Sequence, residues 1–392
     1  MRALAENVLS VGVIDWELKL FDRLIPLPDG TSYNSYLVKG SEKTALVDTV
    51  EPRMIDEFIA HLIDTGVDKI DYIIAHHAEQ DHSGSLVDLL VLYPDAKIVT
   101  NAKCQSMLMD LLELGKDQFV TVADGDSLSL GDKNLKFIYT PWVHWPETMC
   151  SYLKEDRILF SCDFFGSHMA SSDLFVSDER EIYEPAKRYY AEIMMPYKRP
   201  VLNNVKKISN LDISIIAPSH GPAYDNPKFI IDAYSEWAGG EVKNEVVIPY
   251  VSMHGSTKEM VFHLADALME RGVTVKLFEL AELDIGKLAI ALVDAATIVI
   301  GSPTVITGPH PHAAHAAFMA NLLRPKLKFA SIVGSYGWGS KMVENLTAMI
   351  PSLKVELIEP VISKGAAVPE IFAELEELAD EIYSKHKEAG IV

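Results

Sequence analysis

The chain has 392 residues, 48% of them hydrophobic, which is material for two or three independently packed domains. Its formal charge of -21 and acidic pI argue against nucleic acid, whose phosphates attract basic surfaces, and allow a protein partner with a basic face. Three cysteines, Cys104, Cys150 and Cys162, show no C-x-x-C spacing, which excludes a rubredoxin-type iron site or a cysteine-rich zinc module. Their odd number points away from a disulfide framework and towards a reducing compartment. No stretch reaches the roughly 18 apolar residues of a membrane helix. Residues 288–300 come nearest and are interrupted by Asp294. The amino terminus lacks the apolar core of a signal peptide, so a cytoplasmic protein is expected.

Along the first part of the chain, strand-like runs fall at 35–38, 44–50, 70–75, 97–100, 135–140, 158–162 and 213–217. Helical patterns are interspersed at 54–65, 86–92, 102–114 and 183–203. Many strands with fewer helices predict sheets packed together with helices outside. The polar, glycine-bearing stretch 237–244 reads as a linker and divides the chain into domains 1–243 and 244–392. Beyond it, strands at 246–251, 273–280, 296–301, 327–334 and 355–362 alternate with helices at 257–271, 286–293, 311–323, 341–350 and 369–387. That alternation predicts a doubly wound parallel sheet.

The segment His77-Ala-Glu79-Gln-Asp81-His82 follows the apolar run 70–75 and precedes the turn signal Ser83-Gly84-Ser85. Imidazole and carboxylate together suit a transition metal, and Glu79 among them hardens the site towards iron or manganese. His144, Asp163 and His220 each follow another strand-like run, where a sheet can aim side chains into one cleft. Zinc would accept the same ligands and activate water, with Asp81 positioning the nucleophile. His76 is expected on the opposite face of extended backbone from His77. His168 is a candidate for the surroundings of the metals or the substrate pocket, and Tyr33 and Tyr36 for packing or for proton supply.

Taken together, H-x-E-x-D-H followed by the later His, Asp and His resembles the metallo-β-lactamase fold as modified in flavodiiron proteins. The strings Asp81-His-Ser-Gly84, His144-Trp-Pro146, Ser219-His-Gly221 and Thr31-Ser-Tyr-Asn-Ser-Tyr36 add to the likeness, which covers essentially the whole chain. Hydrolases of that fold carry H-x-H-x-D-H, and Glu79 stands here in place of the second His. The resemblance implies an αββα sandwich followed by a flavodoxin-like domain. It also implies that His77, Glu79 and His144 hold one iron, that Asp81, His82 and His220 hold the other, and that Asp163 bridges them. Three carboxylates and a hydroxide would balance two ferrous ions, avoiding uncompensated buried charge.

In the second domain, Ser252-Met253-His254-Gly255-Ser256-Thr257 joins the first strand to its helix and resembles the flavodoxin phosphate loop [S/T]-x-T-G-x-T, with His254 in place of the central Thr. Hydroxyls and N–H groups at a helix start hold phosphate without lysine. Ser302-Pro303-Thr304 and Ser335-Tyr336-Gly337-Trp338-Gly339 follow later strands, where such sheets bind their ligand, and FMN is the expected cofactor. Tyr336 or Trp338 could stack on the flavin. His310, His312 and His315 are expected to rim it or the partner surface and not to form a third metal site.

The implied activity is reduction of O2 to water, of NO to N2O, or both, with electrons relayed through FMN from an external donor: rubredoxin, a reduced deazaflavin coenzyme or another flavoprotein. The rival is a zinc hydrolase fused to a flavin domain. Relatives bring flavin and irons together in a head-to-tail homodimer, so a dimer, or a dimer of dimers, is the expected assembly.

Overall fold

The computed structural model describes residues 2–282 and 284–392; Met1, where the expected first domain begins, lies outside them. The chain divides into two compact units. One runs to Tyr190 and resumes over Tyr197–Gly239; the other comprises Ala191–Pro196 with Gly240–Val392.

Two sheets lie face to face in the first unit. The larger orders Arg2–Ala5, Val8–Ser10, Tyr36–Lys39, Thr44–Val47, Tyr72–Ile74, Lys97–Thr100 and Phe119–Thr121. The smaller orders Ser127–Ser129, Asn134–Tyr139, Met149–Leu153, Ile158–Cys162 and Ile215–Pro218. Period-two alternation divides the side chains of the larger sheet between two cores. Leu37, Leu46, Ile73 and Ile98 pack on Phe58, Leu62, Leu89 and Leu108 of the helices Ile55–Asp64, Leu86–Leu92 and Ala102–Leu112. Their neighbours Val38, Ala45, Ile74 and Val99 meet Phe137, Met149, Leu153 and Phe160 of the smaller sheet. On that sheet's side, Asn204 Nδ2 of the helix Lys198–Ile208 donates to Pro141 O at 3.0 Å. This is the expected αββα sandwich.

The expected helix at 183–203 is broken. Glu179–Tyr189 is followed by a π turn, Tyr190–Met194, and a 3-10 turn, Met195–Tyr197, before Lys198–Ile208. Pro196 has no N–H to continue the ladder.

In the second unit five positions of a parallel sheet run Thr274–Glu279, Lys243–Tyr250, Ala295–Val305, Phe329–Tyr336 and, last, Glu356–Leu357 with Val361–Lys364. In chain order that is 2-1-3-4-5, the flavodoxin-like order. The strand expected at 355–362 is split because Pro360 cannot donate to a ladder. Alternate strand residues again serve separate cores. Val246, Ile248 and Val299 pack on the helices Ser256–Glu270 and Pro369–Glu388, while Val247, Ile298 and Ile332 pack on Ile285–Leu292, Pro311–Leu323 and Met342–Met349.

Candidate metal centre

Four strand ends supply the seven candidate ligands. His77 and Glu79 lie on the loop after Tyr72–Ile74, and the single turn Gln80–Ser83 carries Asp81 and His82. His144 follows Asn134–Tyr139, Asp163 comes directly after Ile158–Cys162, and His220 follows Ile215–Pro218. Glu147 braces the first loop from the side, its Oε1 accepting from Ala78 N at 3.1 Å.

The seven side chains converge as two nests. In the first, His77 Nε2 lies 3.4 Å from Glu79 Oε2 and 3.1 Å from Asp163 Oδ2, and His144 Nε2 lies 2.9 and 3.1 Å from the same two oxygens. In the second, His82 Nε2 is 3.1 Å from both Asp81 Oδ2 and Asp163 Oδ1, and His220 Nε2 is 3.3 and 3.6 Å from them. The two oxygens of Asp163 therefore face different nests.

The residues present fit a pair of cations. His77 Nε2, both oxygens of Asp81 and Asp163 Oδ1 are buried with no hydrogen-bond partner, a costly arrangement unless something else satisfies them. Burial opposes charge on each group, yet mutual attraction prevails. Asp81 and Asp163 lift His82 to about 10, and Asp163 and Glu79 lift His144 to about 9. Asp163 is held well below the usual carboxylate range by His77 and His82. A field that gathers protons on imidazoles also attracts divalent metal, and loading releases those protons. All donors are nitrogen or oxygen, which suits iron.

Several surrounding groups escaped sequence reasoning. His220 Nδ1–H donates to Ser32 O at 2.7 Å, and the Cys162 sulfur lies 3.3 Å from His77 Nδ1. His76 turns away from the nests: its Nδ1 pairs with Asp48 Oδ2 at 2.7 Å and its Nε2 lies 2.9 Å from Ser151 Oγ. Cys162 was detectable as the residue before Asp163; Ser32 acts through its backbone and leaves no signal of residue type. His168 is buried beside His220, ring centroids 4.8 Å apart, and its Nδ1 lies 2.9 Å from Thr31 Oγ1. Burial and the neighbouring His220 push its pKa well down. Tyr36 OH is committed to Pro218 O at 2.7 Å, whereas Tyr33 packs edge-on against His220 and accepts from Arg53 at 3.3 Å. An open cavity of about 1210 Å³ reaches Glu79 and Asp81 between Trp16, Phe21, Tyr33 and Trp145.

Of the segments expected to hold flavin, residues 252–257 follow the first strand of the second unit as a loop and helix start. Residues 302–304 instead lie within the carboxyl end of Ala295–Val305, which runs further than expected, and Ser335 and Tyr336 end Phe329–Tyr336 with only residues 337–339 beyond it. Gly255, at φ 96°, caps Ser256–Glu270, and its N–H donates to Ser252 Oγ at 3.1 Å. Ser335 Oγ lies 3.1 and 3.2 Å from the hydroxyls of Ser256 and Thr257, tying two of these segments together. Thr304 Oγ1 meets Ser340 Oγ at 2.8 Å, and Ser302 Oγ accepts from His310 N at 3.0 Å, with Pro303 between Ser302 and Thr304. Met253, His254, Gly337 and Trp338 are exposed, Trp338 to 85%; Tyr336 and Gly339 are half-buried. His310 caps the helix Pro311–Leu323 by accepting from His312 N at 3.2 Å, and with His315 it forms no three-ligand nest among the described residues.

Residues 31–221 match the model of the ODP family beta lactamase, and residues 248–377 that of flavodoxin. A nitric oxide reductase of Moorella thermoacetica is 36% identical over 91% of both chains. An anaerobic nitric oxide reductase flavorubredoxin of Klebsiella pneumoniae is 34% identical over 90% of this chain and 75% of its own length. Among solved structures, rubredoxin oxygen:oxidoreductase from Desulfovibrio gigas superposes with a TM-score of 0.94 at 30% identity, covering 98% of each chain. The flavodiiron protein from Giardia intestinalis does so at 0.89 and 28%, with the same coverage. Likeness along both units, with a two-nest site in one and a flavodoxin sheet in the other, makes this chain a member of the flavodiiron protein family.

Proposed function

We propose that this flavodiiron oxidoreductase reduces O2 to water, NO to N2O, or both. The observation that carries the proposal is the pair of nests sharing Asp163, with orphaned buried atoms aimed into them. His77, Glu79 and His144 would hold one iron, Asp81, His82 and His220 the other, and Asp163 both. When bound, the irons and FMN supply one- and two-electron chemistry, together enough for the four electrons O2 requires. The protein's share is to hold the ligands at fixed separations, to balance charge with three carboxylates and to bury His77, Asp81, His82, Asp163 and His220 while leaving Glu79 and His144 half-buried. The cavity between Trp16, Phe21, Tyr33 and Trp145 gives a diatomic substrate entry at Glu79 and Asp81.

The phosphate of FMN is assigned to residues 252–257, and its ring to the strand-end segments 302–304 and 335–339, on support of the 2-1-3-4-5 strand order and the hydroxyls gathered there. The same proposal includes the domain limits 1–243 and 244–392, an external donor such as rubredoxin, a reduced deazaflavin coenzyme or another flavoprotein, a head-to-tail homodimer and a cytoplasmic setting. Among the described residues no helix is long and apolar enough to cross a membrane.

One experiment tests the function. Metal and flavin are quantified, the protein is reduced anaerobically, and flavin reoxidation is followed on adding O2 or NO. Two irons and one FMN per chain with rapid reoxidation are expected. Zinc without turnover would instead make the chain a hydrolase of the same fold, and absence of metal would leave only an electron carrier. Sedimentation at micromolar concentration tests the assembly, where an active monomer would refute the dimer.

A further inference from the structure

We infer that Cys162 is a positioning residue for His77, its sulfur determining which ring nitrogen of that ligand faces the metal. Both residues are buried, and the sulfur lies 3.3 Å from Nδ1. The next residue, Asp163, faces the opposite nitrogen, its Oδ2 being 3.1 Å from Nε2. Two consecutive side chains thus hold one imidazole from both ends. Extended backbone would send them to opposite faces of the sheet. Cys162 instead has φ 56°, and this left-handed turn at the end of Ile158–Cys162 brings both to the same ring.

An imidazole that offers Nε2 to a cation carries its proton on Nδ1, and that N–H donates to the sulfur. His220 is held in the same way in the second nest, but by the carbonyl of Ser32 at 2.7 Å. One nest therefore has a carbonyl oxygen and the other a sulfur placed to accept from the Nδ1–H of a candidate ligand. The sulfur cannot drift, because it is packed against Asp48 and His76, whose ligand atoms lie within 4.8 Å of it. The other cysteines are spent elsewhere: Cys150 donates to Ser161 O at 3.5 Å, and Cys104 lies in the helix-side core.

The inference rests on the diiron proposal and is tested on the full-length, FMN-loaded protein. C162S keeps an acceptor for the Nδ1–H, whereas C162A and C162G remove it; glycine also tolerates the left-handed backbone, so the comparison survives if C162A does not fold. Iron retention is measured by elemental analysis after dialysis against graded ferrous chelator, and the paramagnetic resonance signal of the half-reduced centre is recorded. The acceptor-free variants should release iron at roughly 10- to 100-fold lower chelator activity, with an altered signal, while C162S stays near wild type. Wild-type retention and signal in C162A or C162G, or equal loss in all three variants, overturns the role of Cys162. Wild-type protein that takes up no iron overturns the diiron proposal and this inference together.

Discussion

At the scale of single residues the centre depends most on Asp163, whose two carboxylate oxygens face different nests. D163N keeps the shape and removes the charge. Loss of outer partners already weakens metal sites by about 10- to 100-fold, and loss of a shared ligand should do at least as much. Iron per chain should fall for both positions together, which elemental analysis of purified D163N would show; a variant retaining one full iron would contradict the shared role. Glu79 bears on which metal enters. E79H exchanges a hard anionic oxygen for a neutral nitrogen, so equimolar iron and zinc during refolding should give a several-fold higher zinc fraction than in wild type. An unchanged ratio would show that Glu79 does not set the preference. The seven candidate ligands could be picked out in the sequence because each is a metal-binding residue type on a segment that follows an apolar run. Ser32 could not, since it acts through a backbone carbonyl, and Glu147 could not, since it holds Ala78 N and not a metal.

Among the elements, long periodic segments were readable and short ones were not. Pro311–Leu323 and Leu86–Leu92 were anticipated end to end, because apolar spacing and a proline or serine start agree there. Val8–Ser10, Val13–Asp15 and Ser127–Ser129 are too short to show a period, and pairing with neighbouring strands makes them extended. The loop before Ser256–Glu270 offers a test of element geometry. Gly255 sits at φ 96° with no heavy atom near the position a Cβ would take, so G255A adds backbone strain alone, about 1–2 kcal/mol. Relief of that strain would move the N–H groups of the phosphate loop, weakening FMN about 5- to 30-fold. Fluorescence titration of apoprotein checks this, and an unaltered Kd would show that the loop tolerates the change.

Across a whole unit, His386 links the last helix to the sheet. Its Nδ1–H donates to Asn244 Oδ1 and its Nε2 accepts from Thr297 Oγ1, both at 2.7 Å, while Phe329 stacks on the ring. Burial pushes its pKa down to about 4. An imidazole neutral in the fold and protonated when unfolded contributes stability above about pH 6.5, lost as pH falls towards 4. The Tm of the FMN-bearing unit should therefore drop across that window. H386Q, which can keep both hydrogen bonds but does not titrate, should show a shallower drop; an identical slope would assign the effect elsewhere. Fold class was legible at this scale because strict strand–helix alternation leaves few alternatives. The broken helix around Pro196 was missed because its apolar pattern continues across residues whose backbone cannot.

The ligands enter from four strand ends, and the first and last bracket most of the first unit's sequence. A chain leaving the ribosome has every residue of the first nest once Asp163 has emerged, whereas the second nest, and so the paired site, waits for His220 and the strand that precedes it. A nascent chain stalled before residue 215 would therefore carry at most a single nest, and pairing of two cations across Asp163 is expected only after the first unit has folded to its end.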